Sequence, residues 1–374
     1  VGINIVRNMK ITIIAGARPN FMKIAPIIHA IKQAQDQGKD IQYRLVHTGQ
    51  HYDKKMSGDF FEQLEIPEPD TNLHAGGGTQ AEQTAAIMIG FEKELMESPT
   101  DLVLVVGDVT STMACAITAQ KLGIKVAHVE AGIRSNDWSM PEEINRLVTD
   151  SITNYFFTTS EIANENLKTG GVKQENIFFV GNTMIDTLLK QMPRFMKPLV
   201  WDELDLKANE YIVMTLHRPA NVDQEIKLKE LIETLILSAN GFPLIFPVHP
   251  RTAKMLEVIG VSASNLYMIE PLSYLEFNYL VRNAKAVITD SGGITEETSV
   301  MKVPCMTLRN NTERPETITL GTNELLGTNP SAIPPALKKL FAGEWKKGSD
   351  IPLWDGKTAE RIVDHLLNLD IIDV

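Results

Sequence analysis

Lys125-Val-Ala-His-Val129 runs into Glu130-Ala-Gly-Ile-Arg134, and a few residues on comes Met140-Pro-Glu-Glu-Ile-Asn-Arg146. The first piece is a short β-rich run, and the last opens a helix at Pro141. Between them and just beyond lie three glutamates and two arginines. In a parallel α/β sheet, ligands bind past the carboxyl ends of the strands. Acids this close repel one another unless cations or proton-transfer chemistry employ them. The stretch reads as one strand–loop–helix unit of a parallel sheet, and as a place that moves protons beside a bound anion.

The same rhythm extends in both directions. Upstream, β-rich runs are expected at Lys10–Ala15, Tyr43–His47 and Leu102–Val106. Downstream they are expected at Tyr155–Thr158, Ile177–Val180, Tyr211–Thr215, Pro243–Val248, Leu266–Ile269, Ala286–Thr289 and Pro304–Leu308. Most are near-continuously apolar, as strands buried on both faces are. Helical segments alternate with them, among them one beginning near Met22, Gln80–Met96, Asp223–Ala239 and Pro335–Phe341. The tail Ala359–Leu369 carries a helical apolar stripe. This alternation predicts an α/β protein with two doubly wound parallel sheets. The proline-marked stretch Leu188–Lys207 separates the halves.

Composition sets bounds. The chain has 374 residues, 43% hydrophobic and 22% charged, with a formal net charge of −11. That balance argues against a general nucleic-acid binder but permits a local basic pocket for an anionic metabolite. Cys115 and Cys305 lie far apart in sequence and read as buried small hydrophobes in a reducing compartment. No apolar run has the length of a membrane span. The eight residues ahead of Met9 carry no cleavable signal pattern and read as a cloning remnant or upstream read-through. A cytoplasmic location is expected.

Several strand exits carry chemistry. Gly16-Ala-Arg-Pro-Asn-Phe-Met-Lys23 is a glycine turn into a helix, where the helix amino terminus and Arg18 favour an anion. It is neither a Walker loop nor a dinucleotide fingerprint. Val106-Gly-Asp108 puts an acid at a strand end, where the bland reading is a helix cap. Glu130 sits at the next exit, with Arg134 and Arg146 as candidate partners, so a structural ion network competes with a catalytic role. Glu142 and Arg146, four apart, share a helix face. In the second half, Thr215-Leu-His-Arg218 and Pro247-Val-His249-Pro-Arg251 each set a histidine near an arginine. No cluster has a familiar metal-ligand spacing, so no metal is expected. Finally, Asp290-Ser-Gly-Gly293 opens a helix whose amides suit phosphate oxygens. Glu297 is placed to accept ribose hydroxyls, and Arg314, beside Pro315, to meet a diphosphate.

Taken in order, the motifs resemble the bacterial non-hydrolysing UDP-N-acetylglucosamine 2-epimerases from Met9 to the last helix. They are Gly16-Ala-Arg-Pro, Thr48-Gly-Gln-His51, Gly107-Asp108, His128-Val-Glu-Ala-Gly-Ile-Arg134, Pro141-Glu-Glu-Ile-Asn-Arg146, Gly181-Asn-Thr183, His217-Arg218, Pro247-Val-His249-Pro250, Asp290-Ser-Gly-Gly293 and Thr312-Glu-Arg-Pro-Glu316. The resemblance implies a GT-B architecture, two Rossmann-like domains around a cleft. The expected domains are residues 9–190, completed by a returning helix at 357–374, and residues 207–356. It implies catalytic roles for Asp108, Glu130, Glu142 and His217. It implies substrate contacts from Arg18, Lys23, Gln80, Arg134, Arg146, Asn182, Arg218, His249, Ser291, Gly292, Gly293, Glu297, Arg309 and Arg314. The implied reaction eliminates UDP, passes through 2-acetamidoglucal and re-adds UDP, with no cofactor, in a homodimer.

Three departures bear on regulation. Pro219 and Ala220 stand where an arginine and a glutamate are usual, Ala17 and Asn20 where many members have threonine and glutamate, and Tyr52-Asp-Lys-Lys-Met56 lacks a second glutamine. Gln50 and His51 remain as parts of an activator site, so weak or absent activation by substrate is expected. Rival readings are a 2-epimerase of a diacetamido uronic acid derivative, a hydrolysing epimerase, a GT-B glycosyltransferase, and a nucleotide-sugar sensor without catalysis.

Overall fold

The computed structural model describes residues 9–49, 61, 63–222, 224–248 and 250–369. The chain falls into two compact units. The first holds the residues up to Thr187 and those from Pro352 onward, and the second holds Leu188–Ile351.

The first unit alternates strand and helix: β1 (Met9–Ala15), α1 (Arg18–Asp36), β2 (Ile41–His47), β3 (Thr71–Asn72), α2 (Gln80–Glu97), β4 (Leu102–Val106), α3 (Thr110–Lys121), β5 (Lys125–Val129), α4 (Pro141–Ile152), β6 (Tyr155–Thr158), α5 (Glu161–Thr169), β7 (Ile177–Phe179) and α6 (Thr183–Gln191), whose last turn lies beyond Thr187. Its seven strands run in the order β3-β2-β1-β4-β5-β6-β7, every pair parallel. β4 shows why. All five residues of Leu102-Val-Leu-Val-Val106 are buried, so both faces need a helix, and only crossover connections supply them. Ile87 and Phe91 of α2 and Ala114 and Cys115 of α3 pack on Val103 and Val105.

The second unit repeats the plan with α7 (Leu199–Glu203), β8 (Ile212–Thr215), α8 (Pro219–Val222), α9 (Glu225–Ser238), β9 (Leu244–Pro247), α10 (Pro250–Val258), β10 (Leu266–Ile269), α11 (Tyr274–Asn283), β11 (Ala286–Thr289), α12 (Gly292–Met301), β12 (Cys305–Thr307), α13 (Pro315–Thr319), β13 (Asn323–Leu325) and α14 (Ile333–Phe341). Its six parallel strands run β10-β9-β8-β11-β12-β13. The chain then returns to the first unit as α15 (Thr358–Leu367), which packs on α1.

The expected strands are all present, most with ends within a residue of the predicted ones. β3 and β13 were not expected. Both are edge strands of two or three residues, too short to show a period. The first helix begins at Arg18, four residues ahead of the expected Met22, because Pro19 is favourable in a first turn.

Strand order locates the sites. Each sheet reverses its winding once, between β1 and β4 in the first unit and between β8 and β11 in the second. The crevice beyond the carboxyl ends at such a switch point is where doubly wound sheets bind ligands. The residues that emerge there are Gly16–Arg18 and Gly107–Asp108 in one unit, and His217–Arg218 and Asp290–Gly292 in the other.

Candidate functional site

In the first unit, β4 ends in Gly107, at φ +68, where a side chain would meet Lys23 Nζ at 2.9 Å. The glycine turns the chain so that Asp108 leaves the sheet. Val109 holds the cap position of α3 without a side-chain bond, so Asp108 does not serve as the helix cap. Its carboxylate pairs with Arg146 at 3.0 Å instead, and Asn145 donates to its carbonyl. Lys23 reaches across from α1 to Glu130 at 2.7 Å. Glu130 is buried and adopts φ +69, a left-handed conformation that costs a non-glycine residue about 1–3 kcal/mol and clusters at functional sites.

Helix α4 supplies the rest. Arg146 is buried and also pairs with Glu143. Glu143 takes the Ser135 and Asn136 amides and the Ser135 hydroxyl. Burial pushes the Glu143 carboxyl upward, but these amides and Arg146 bring it below the usual carboxylate range. The sequence pairs Arg146 with Glu142, and the structure binds it to Glu143. Glu142 is half-buried in the first turn of α4 and has no hydrogen bond or ion pair among the described residues. The Arg134 guanidinium goes to Asp150 at 2.6 Å.

Of the other first-unit candidates, Arg18 is an exposed residue at the start of α1. Gln80 opens α2 and accepts from the Thr110 hydroxyl at 3.2 Å. Asn182 is fully buried; its Oδ1 accepts from the Met184 amide, and its Nδ2 has no partner among the described residues.

In the second unit the organising residue is Asp290, fully buried at the end of β11. It accepts from the amides of His217 and Arg218, from the Asn221 side chain, and pairs with His217 Nδ1 at 2.7 Å. Burial raises its carboxyl, yet these partners hold it below its ordinary value. The His217 side chain is 60% exposed while its Nδ1 is anchored on Asp290. Arg218 Nε donates to the Asp290 carbonyl at 3.0 Å.

Ser291 is the cap residue of α12, but its hydroxyl makes no cap bond. A side chain at Gly292 would meet the carboxylate end of Glu313, at 2.7 Å from Oε1, whereas Gly293 faces open space. Arg309 holds Glu313 at 2.8 Å. Arg314 pairs with Glu296. Glu297 is buried and accepts from the Tyr274 hydroxyl at 2.8 Å. Burial pushes its carboxyl up to about 7 and raises the Tyr274 phenol.

In the first unit the structure pairs Lys23 with Glu130, Asp108 with Arg146 and Arg134 with Asp150, and in the second it gathers His217 and Arg218 on Asp290 and pairs Arg309 with Glu313, Arg314 with Glu296 and Glu297 with Tyr274. Gln50, His51 and His249 lie outside the described residues. Sequence reading missed Glu143, Asp150, Asp290 and Glu296, which hold the arginines and histidines in place. Glu143 and Asp150 flank Arg146 at helical spacing, but that spacing neither prefers Glu143 to Glu142 nor shows that Asp150 binds His128 and Arg134. Asp290 and Glu296 had no such spacing, because their partners come from other strands and loops.

The family model described as UDP-N-acetylglucosamine 2-epimerase matches residues 33–367. A UDP-N-acetylglucosamine 2-epimerase of Methanocaldococcus jannaschii is 41% identical over 373 residues, covering 95% of this chain and 98% of that protein. A UDP-2,3-diacetamido-2,3-dideoxy-D-glucuronate 2-epimerase of Pseudomonas aeruginosa is 36% identical over 364 residues, covering 96% and 100%. The crystal structure of the Methanocaldococcus jannaschii enzyme in complex with UDP-GlcNAc and UDP superposes with a TM-score of 0.86, covering 96% of this chain and 100% of that one. The resemblance to specifically bacterial members is too narrow, because archaeal relatives match at least as well.

Proposed function

This chain belongs to the UDP-N-acetylglucosamine 2-epimerase family, and on that premise we propose that it interconverts UDP-N-acetylglucosamine and UDP-N-acetylmannosamine by eliminating and re-adding UDP. The observation that carries the reading is the group of acids at the exits of β4 and β5 and the start of α4. Asp108 and Glu130 are held by cations, while Glu142 is uncommitted. Inverting a carbon-bound hydrogen needs a base on one face and an acid on the other. One acid of the group takes the proton from carbon 2 while the carbon 1–oxygen bond to UDP breaks, leaving 2-acetamidoglucal. UDP then re-adds, and a proton returns on the opposite face. No redox step occurs, so none of the residues has to hold a redox cofactor.

The second unit holds the nucleotide in this reading. The amides at the start of α12 and Arg314 meet the diphosphate, Glu297 meets the ribose, and the anchored His217 presents Nε2 to the departing phosphate oxygen. Donors aimed at the charge that develops there supply the electrostatic part of catalysis.

The test is turnover of UDP-N-acetylglucosamine in deuterated water without added cofactor. Deuterium is expected at carbon 2 of both sugars. Epimerisation with full retention of the original hydrogen would sink the elimination route. A second reading, epimerisation of a diacetamido uronic acid nucleotide, is favoured by the Pseudomonas aeruginosa relative. A higher kcat/KM for that substrate would replace the first.

A further inference from the structure

One buried carboxylate reaches both loops that carry the acids. Asp150 lies on α4 four residues after Arg146, on the face that also presents Glu143. Its Oδ1 is 2.8 Å from His128 Nδ1. Its Oδ2 accepts from the Gly132 amide at 3.1 Å and from Arg134 at 2.6 Å. His128 is fully buried, and its other ring nitrogen, Nε2, is 2.8 Å from the Gly107 carbonyl oxygen. Both ring nitrogens lie within hydrogen-bond distance of an oxygen, one on Asp150 and one on Gly107. A continuous polar chain thus runs from α4 through β5 to the turn that aims Asp108. From the same carboxylate, two more bonds fix the loop that begins at Glu130.

That arrangement answers a question the acids themselves raise. Glu130 sits in a left-handed conformation, and such a conformation persists only where its surroundings over-determine it. Lys23 holds the Glu130 side chain. The backbone after Glu130 is held at Gly132 by Asp150. On the other side, Asp108 follows the carbonyl that His128 grips. A buried carboxylate committed to an imidazole, a guanidinium and an amide is costly to assemble and is weak evidence for stability alone. What this one does, beyond what an apolar residue would do, is tie two acid-bearing turns to one point.

We infer that Asp150 is a positioning residue for the proton-transfer step, setting the placement of Asp108 relative to Glu130 through His128 and Gly132. The inference rests on the proposed epimerase reading. Proton transfer to and from carbon demands placement of the acids to a fraction of an ångström, and a 1 Å error costs about a hundredfold. Nucleotide binding, assigned to the second unit, has no such dependence.

The experiment uses the full chain, with kcat normalised to folded protein well below the melting temperature. Wild-type exchange of the carbon 2 hydrogen is the reference, and its absence counts against the proposed function and the inference together. With wild type active, Asp150→Asn is expected to lower kcat about a hundredfold and leave UDP affinity by calorimetry unchanged. In an Asp108→Asn background the same change should add no more than about twofold, since residues acting through one another are not additive. Wild-type kcat in Asp150→Asn overturns the inference while leaving the epimerase reading standing, and so do losses that multiply in the double variant. If Asp150→Asn does not fold, His128→Gln breaks the same chain at its next link and is read by the same measurements.

Discussion

At Glu130 the molecule accepts backbone strain to place a carboxylate, and the three acids of the first unit differ in how firmly they are held. Glu142 has no partner among the described residues. Glu142→Gln should therefore lower turnover about a hundredfold or more, the scale of acid–base groups, with an unchanged melting temperature. Asp108→Asn and Glu130→Gln should lose as much turnover and some stability as well, because each removes a partner of a buried or half-buried cation. A Glu142→Gln variant with normal turnover would return that residue to the solvent. In the second unit, Arg314→Ala should weaken UDP binding by roughly 2–3 kcal/mol, the range for a charge-assisted contact. It also strips Glu296 of a cation, so calorimetry must be paired with a melting curve. Unchanged affinity would move the diphosphate elsewhere. What was legible at this scale was the acid or cation that faces a ligand: strand ends followed by Asp108, Glu130, His217 and Ser291. Its holder was mostly illegible. Arg146 has acids at both 142 and 143, and the sequence gives no reason to prefer the buried one until the loop at Ser135 and Asn136 is seen donating to it.

Helix α4 brings Glu143, Arg146 and Asp150 to one face and thereby binds the loops after β4 and β5, which otherwise share no covalent neighbour. The returning α15 is secured in a comparable way. Asp186 of α6 accepts from the amides of Thr358 and Ala359 at 3.1 and 2.7 Å, the free amides of a helix start. Beside it, a side chain at Gly181 would meet the Leu353 carbonyl at 2.1 Å, so the returning segment passes where only glycine allows. Trp354 donates to the Thr159 carbonyl at 3.1 Å. Asp186→Ala should cost about 1 kcal/mol in urea unfolding, the typical value of a lost cap, and Asp186→Asn less, since one acceptor oxygen survives. A neutral Asp186→Ala would mean that water replaces the carboxylate at those amides. The α15 stripe was readable from Ile362, Val363 and Leu366, whereas its capping acid, in a helix far away in sequence, was not.

For the whole molecule, two doubly wound sheets were legible because apolar runs such as Leu102–Val106 and Ala286–Thr289 leave no solvated face, which forces helices onto both sides. The edge strands β3 and β13 escaped notice because two or three residues carry no pattern. Charge adds a property that spans both units. Burial pushes Asp186 up to about 6, and Glu297 and Glu316 up to about 7. Both oxygens of Glu316 are buried without a hydrogen-bond partner among the described residues. A carboxyl whose pKa is higher folded than unfolded binds more protons in the native state, so folding weakens as pH rises through that window. For these three the window runs from about 4 to about 7, and each shifted unit is worth about 1.4 kcal/mol at most. Glu143, Asp150 and Asp290 act in the opposite sense: their carboxyls are depressed, and their contribution is lost only below about pH 4. The two sets place maximum stability of the ligand-free protein at about pH 4 to 5, where the depressed acids still contribute and the raised ones have barely begun to ionise. Its melting temperature should therefore be higher at pH 5.5 than at pH 8. The Glu297→Gln, Glu316→Gln double variant, with amides that cannot ionise, should narrow that difference. A melting temperature that climbs steadily from pH 5.5 to 8 would show that these acids find donors in solution and ionise without cost.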